Sequence, residues 1–183
     1  MDSTIYSIGH GSKPIDEFLE ELEAFGIAYL VDVRSRPYSK WNPDFNTEPL
    51  RRRLKERKIV YGFMGDALGG VPADRAFYDA QGRIRYDALK QSPLFGEGLE
   101  RIYKAVAQQH RIALMCSEAD PAQCHRSKLI GAALLERYGL SIHHIVARDR
   151  CKTQEEVMAE VTKGTGVVDL FGQSLPLTSK KSY

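Results

Sequence analysis

The chain has three cysteines among 183 residues. So small and odd a number argues against a disulfide-stapled secreted scaffold and leaves reduced thiols, whose positions become a question of chemistry. No apolar run approaches the roughly eighteen residues that would span a bilayer. The opening residues Met1-Asp2-Ser3-Thr4-Ile5-Tyr6 lack the cationic and apolar regions of a secretory leader. A cytoplasmic protein with no membrane partner is therefore expected. Repeats and low-complexity tracts are also missing. Charge of one sign is scarce: 26 Lys plus Arg stand against 24 Asp plus Glu, for a net charge of +2. What is present is 43% hydrophobic, 27% charged and 9% aromatic content, the make-up of one ordinary globular domain. At this length about 70% of the unfolded surface is buried on folding, enough for a core without metal or disulfide staples. Collagen, coiled coil and intrinsic disorder are excluded.

The cancelled charge conceals a local excess. Between Arg34 and Lys58 nine basic residues face three acidic ones, so that stretch carries +6 and the remainder −4. An anionic partner is expected there.

Apolar patterning alternates between short runs and helical spacings. Strands are expected over residues 4–8, 28–33, 59–64, 111–116 and 140–146. Helices are expected after Ser12, over 48–57, over 97–109 and over 121–138, the last ended by Gly139. Residues 71–92 are undecided, a long excursion of the kind that is often functional. Strand and helix alternating in this way predict a single α/β domain over residues 1–171, a three-layer sandwich with a mostly parallel sheet of about five strands, followed by a flexible tail over 172–183. Open parallel sheets bind ligands beyond the carboxyl ends of their strands. The loops expected there hold Gly9-His10-Gly11, Arg34-Ser35-Arg36, Leu68-Gly69-Gly70 and residues 116–126.

The richest of these runs from Cys116 through Glu118, Asp120 and Pro121 to Cys124-His125-Arg126-Ser127. Asp120 with Pro121 and Gln123 reads as a helix start. Helical spacing back from Ile130 then puts Arg126 and Ser127 on the core-facing side. A charged residue there needs a partner. Two readings stand: Arg126 pairs with Asp32 or Glu118, or it reaches a bound anion together with the helix N-terminus. Cys116, last in its strand, faces the same crevice either as a small buried hydrophobe or as a nucleophile activated by Arg126 or His125. Glu118 is the other candidate attacking group, against the reading of a solvated loop carboxylate.

His10, set between two glycines, is a candidate acid, base or phosphate contact. Arg34 and Arg36, interleaved with Tyr38 and Trp41, mix cations with stacking surfaces as nucleotide sites do. His143 and His144 read as ordinary strand residues. Cys116, Cys124, His125 and His10 are zinc-type ligands, but an eight-residue cysteine spacing and an adjacent Cys-His pair match no standard finger or ribbon, so no metal site is assigned. No cofactor is assigned either.

The order strand, Cys116, loop, Arg126-Ser127, helix resembles rhodaneses and cysteine phosphatases in part, and so does Leu30-Val31-Asp32-Val33-Arg34. Those enzymes place an arginine five or six residues after the cysteine. Here the interval is ten, and the loop carries Glu118 and Asp120, so their mechanism is not carried over. As a whole the chain resembles a bacterial family, the domain of unknown function numbered four-eight-eight. The resemblance rests on Ile8-Gly9-His10-Gly11, on Leu30 to Arg34 with Pro37 and Trp41 to Asn46, on Leu68-Gly69-Gly70, and on Leu114 to Glu118 leading to Cys124-His125-Arg126-Ser127. It implies no particular reaction. Val168-Asp169-Leu170-Phe171 resembles the ending of peptides that dock on bacterial sliding clamps but lacks their opening glutamine, and packing onto the domain is expected instead.

The expectation is thus a protein binding a phosphate-bearing, nucleotide-like or nucleic-acid-derived ligand. Cys116, Glu118 and His10 are the catalytic candidates, for transfer or hydrolysis. Arg34, Arg36, Trp41, His125, Arg126 and Ser127 are the ligand contacts. A noncatalytic nucleic-acid module using residues 34–58 and a metal-binding or redox-sensing thiol protein are the alternatives. The oligomeric state is left open.

Overall fold

In the computed structural model, which describes residues 4–163 and 177–183, the apolar runs become parallel strands covered on both faces, as such runs must be. The strands are β1 (Ile5–Gly9), β2 (Tyr29–Asp32), β3 (Val60–Phe63), β4 (Arg83–Arg85), β5 (Ile112–Cys116), β6 (Ile142–Ala147), β7 (Arg150–Thr153) and β8 (Thr178–Ser182). Six of them form the main sheet in the order β3-β2-β5-β1-β6-β7, and β4 pairs with β8 in a separate ribbon. All pairs in the main sheet are parallel except β6 with β7. The sixth strand was not foreseen because Arg150-Cys151-Lys152-Thr153 has almost no apolar alternation. Its position comes from a tight turn back along β6.

Side chains alternate across the sheet with the period of two that strands impose. Ile5, Val31, Ile112, Leu114 and Ile142 point into one core, and Tyr6, Ile8, Leu30, Ala113, Met115 and Ile145 into the other. The second core is closed by α1 (Ile15–Ala24) and α2 (Thr47–Glu56), the first by α3 (Gly65–Leu68), α4 (Tyr86–Leu89), α5 (Pro93–Ala107) and α6 (Ala132–Tyr138). This is the expected three-layer α/β sandwich. A seventh helix, α7 (Gln154–Val161), is set by a reciprocal cap between Thr153 and Glu156.

Two segments differ from expectation. The single helix over 121–138 is instead broken. Asp120 caps a short turn over Pro121–Gln123 by accepting from the Ala122 amide, Cys124 is extended at φ −112° and ψ 149°, and a π-helical turn over Arg126–Gly131 leads into α6. Such bulges commonly sit at functional sites. The tail expected over 172–183 is, over its described part, the strand β8. It is held by the Ile84 amide on Ser179 Oγ (2.9 Å) and by pairing with β4, so the long excursion over 71–92 finds its partner at the far end of the chain. The Val168 to Phe171 segment lies outside the described residues.

Candidate functional site

Register sets the site. Gly9 lies opposite Cys116 and Asp32 opposite Met115, so β1, β2 and β5 end level, and a cleft of about 780 Å³ opens beyond them. Its floor is made of the buried Cys116, Cys124, His125, Tyr86 and Ser179, and its rim carries Arg36, Arg75, Lys180 and Lys181 with Glu118 as its carboxylate.

Cys116 follows Leu114 by two residues and therefore points to the same face of the sheet. The extended backbone at Cys124 turns its thiol back toward Cys116. His125 Nδ1 lies 3.8 Å from Cys116 Sγ and 3.7 Å from Cys124 Sγ. The other ring nitrogen, Nε2, is 3.1 Å from the Val33 carbonyl. A carbonyl only accepts, so Nε2 carries a proton, and Nδ1 is the nitrogen that faces the two sulfurs. Gly70 makes room for this ring, since a Cβ there would meet the imidazole at 2.7–2.9 Å. Gly9 is needed for the same loop, because a Cβ there would stand 2.0 Å from the Glu118 carbonyl.

Arg126 is wholly buried. Its guanidinium donates to Ser7 Oγ (3.1 Å), to the Glu118 and Ala119 carbonyls (2.7 and 3.4 Å) and to Cys124 Sγ (3.3 Å). Neither carboxylate expected as its partner is one. Asp32 belongs to another arginine, and Glu118 offers its backbone rather than its carboxylate. Among these partners only the Cys124 sulfur can carry a negative charge. Burial resists ionisation of Cys124, but the hydrogen bond from Cys116 and the charge of Arg126 outweigh it and hold Cys124 well below the usual thiol range. Cys116, as donor of that bond and itself buried, is pushed well up.

Behind Arg126 runs a polar relay that the sequence did not reveal. Ser7 Oγ lies 2.7 Å from His144 Nδ1, His144 Nε2 lies 2.9 Å from Gln154 Oε1, and Gln154 Nε2 donates to the Ser127 carbonyl (3.0 Å). With Arg126 donating to Ser7, the serine donates to Nδ1, and His144 is neutral with its proton on Nε2. Burial above all lowers the His144 pKa to about 4. The unfolded histidine binds its proton near pH 6.5. The protein is therefore expected to lose stability as pH falls from 6.5 to about 4, by on the order of 3 kcal/mol from this residue alone. Urea unfolding across that range, wild type minus His144→Gln, checks it; parallel curves for the two proteins would refute it.

The remaining expected site residues divide. Arg34 borders the cleft, but its guanidinium is committed: it clasps both Asp32 oxygens (2.9 and 2.6 Å) and donates to the Phe45 carbonyl (2.7 Å). His10 stacks on Phe45 with ring centroids 4.4 Å apart, bonds the Gly11 carbonyl and lies 3.5 Å from Arg34. It lines, with the exposed Trp41, a separate depression of about 350 Å³ rather than the thiol cleft. Burial lowers its pKa to about 4. The hydroxyl of Ser127 is turned to the Pro121 and Cys124 carbonyls and is buried. In and just after the basic helix α2, Arg51 pairs with Glu48 of the same helix, Arg53 with Asp16 and Arg57 with Glu23, so α1 offsets two of the basic residues. Arg36, Cys116, Glu118 and His125 do converge on the cleft. Lys180 and Lys181 were missed because nothing local links them to β4.

The chain matches the family model described as domain of unknown function DUF488 over residues 14–133. It belongs to that family. It matches no curated protein and no solved structure. The DUF488 segment contains Arg34, Arg36 and the whole run from Cys116 to Arg126, whereas His144, Gln154 and the two lysines of β8 lie beyond it. No helix among the described residues is long and apolar enough to cross a membrane.

Proposed function

We propose that the cleft binds a small phosphate-bearing ligand, nucleotide-like in chemistry, with its anionic group on the rim and its reacting end over Cys116 and His125. One observation carries the reading. Arg36, Lys180 and Lys181 converge on one opening with no carboxylate partner among the described residues. Arg75, on the same rim, is held by the main-chain oxygen of Tyr183 (3.0 Å). Converging unpaired cations over a partly enclosed floor raise the local concentration of anions. The floor adds hydrogen-bonding groups and the Tyr86 ring, the mixture expected of a small-molecule site. A transfer or hydrolysis on such a ligand has Cys116, His125 and Glu118 within reach.

Calorimetric titration with ribonucleoside 5′-monophosphates and their parent nucleosides tests this. The phosphorylated compounds are expected to bind and the nucleosides not. Replacing Arg36, Lys180 and Lys181 together with alanine should weaken binding by roughly tenfold or more at low salt, with a reduced salt dependence. Equal binding of both classes, or no effect of the triple replacement, would sink the reading.

A further inference from the structure

The three groups on the cleft floor have the chemistry and spacing of a metal-binding half-shell. Cys116 Sγ, Cys124 Sγ and one nitrogen of His125 all lie within 4.8 Å of one another. Zinc bonds of about 2.3 Å to sulfur and about 2.0–2.1 Å to nitrogen put the sulfur–nitrogen edge of a tetrahedron near 3.6 Å. The two such edges here are 3.8 and 3.7 Å, so along both sulfur–nitrogen edges the ligands need to close by only a few tenths of an ångström.

Each ligand atom is also held from behind. His125 is locked by Val33 into the tautomer that offers Nδ1. Cys124 Sγ accepts from Arg126 Nε, and Cys116 is fixed at the carboxyl end of β5. Outer contacts of this kind orient the ligands of protein metal sites. All three residues line the same cleft, which leaves the remaining tetrahedral position facing it. Closed structural sites use four protein ligands, whereas three with an open position is the catalytic pattern.

We propose that Cys116, Cys124 and His125 bind one soft divalent metal ion, zinc by the character of two thiolates and an imidazole, with its fourth position open to the cleft. Two thiolates balance the ion, and Arg126 leaves the floor with a net positive charge. The ion would displace the proton shared between the thiols. The site does not depend on the anion reading; only the identity of a fourth ligand does.

The test uses the untagged full chain, purified under reducing conditions, stripped with a chelator and titrated with Zn²⁺ and Co²⁺. Cobalt is expected to bind at one equivalent, with a thiolate-to-cobalt charge-transfer band and the intense visible bands of a four-coordinate ion. Zinc should displace it. Cys116→Ser and Cys124→Ser should abolish these bands, and Cys151→Ser, on β7, should leave them unchanged. Weak bands of a six-coordinate ion without charge transfer, or full binding by Cys116→Ser, would overturn the proposal. Should the serine variants misfold, thiol counting on the wild type decides: zinc should protect two of the three thiols until chelator is added, and equal reactivity with and without zinc would refute the site. Adding inorganic phosphate to the cobalt form separates the two readings. Calorimetry that shows no phosphate binding to that form speaks against the phosphate ligand and leaves the metal site standing, because a phosphate held on the rim need not alter the bands.

Discussion

Replacing Arg126 with methionine should lower the unfolding free energy by about 3–5 kcal/mol, although the side chain is the most deeply buried cation in the described protein and a similar apolar volume takes its place. The reason lies in the partners left behind. The Glu118 and Ala119 carbonyls, Ser7 and the Cys124 sulfur all face the guanidinium. Each buried acceptor stranded without a donor costs about 1–3 kcal/mol. Lysine should recover less than half of the loss. A single ammonium cannot span groups that a planar fork reaches on different sides. Urea unfolding of the three proteins, each with its thiols kept reduced, measures this. A loss below about 1 kcal/mol, the size of an ordinary surface substitution, would show that Arg126 does not organise the loop. The same substitution should remove the guanidinium that is hydrogen-bonded to Cys124, so coupling between Arg126→Met and Cys124→Ala should be well above the error of a double-mutant cycle.

Asp32 should behave in the same way for a different reason. Its carboxylate is fully buried and receives the Arg34 amide, the Arg34 guanidinium on both oxygens and the Tyr61 hydroxyl. Asp32→Ala leaves the Arg34 charge uncompensated in the interior and should cost about 3–5 kcal/mol. The double variant Asp32→Leu, Arg34→Met removes both charges and fills the space. It should recover most of that loss, since a buried ion pair is often replaceable by well-packed apolar residues. Strict additivity of the two single losses in the double variant would show that the pair is not a unit. Phosphate-bearing ligands should still bind the double variant if Arg34 only supports the loop, because Arg36, Lys180 and Lys181 remain.

These two arginines show where sequence reading works and where it stops. Both were singled out as crevice residues; Arg34 follows β2 and borders the cleft, whereas Arg126 opens the π-helical turn beyond β5, is wholly buried and does not line it. The place of Arg34 follows from apolar periodicity and from the rule that loops at those ends converge. Their partners were not legible. Asp32 is two residues from Arg34, yet proximity in sequence does not show whether a carboxylate turns toward its neighbour or toward another strand. Arg126 bonds Ser7 across 119 positions, an interval set by the order in which β1 and β5 enter the sheet.

Cys124 makes the same point at shorter range. A helix start at Asp120 was readable from its capping pattern, and Asp120 does cap. The turn it caps ends after three residues, and the extended backbone that follows is what brings the second thiol to the first. Spacing rules for zinc fingers did not find the Cys116–Cys124–His125 cluster because they describe ligands on short knuckles. Here one sulfur comes from the end of a strand and two ligands from a break before a π-helical turn.

Composition and periodicity were enough to determine an α/β layer structure with a mostly parallel sheet and several of the loops that border the cleft, because those depend on burial and on local backbone periods. Only the tertiary structure decided which charges were already balanced and which stayed free. It tied Arg34 to Asp32 and Arg126 to the thiol loop, moved His10 to a separate depression, and brought Lys180 and Lys181 from the far end of the chain to the rim. The physical reason is that a charge acquires its role from the groups within a few ångströms, and the fold chooses those from anywhere along the chain.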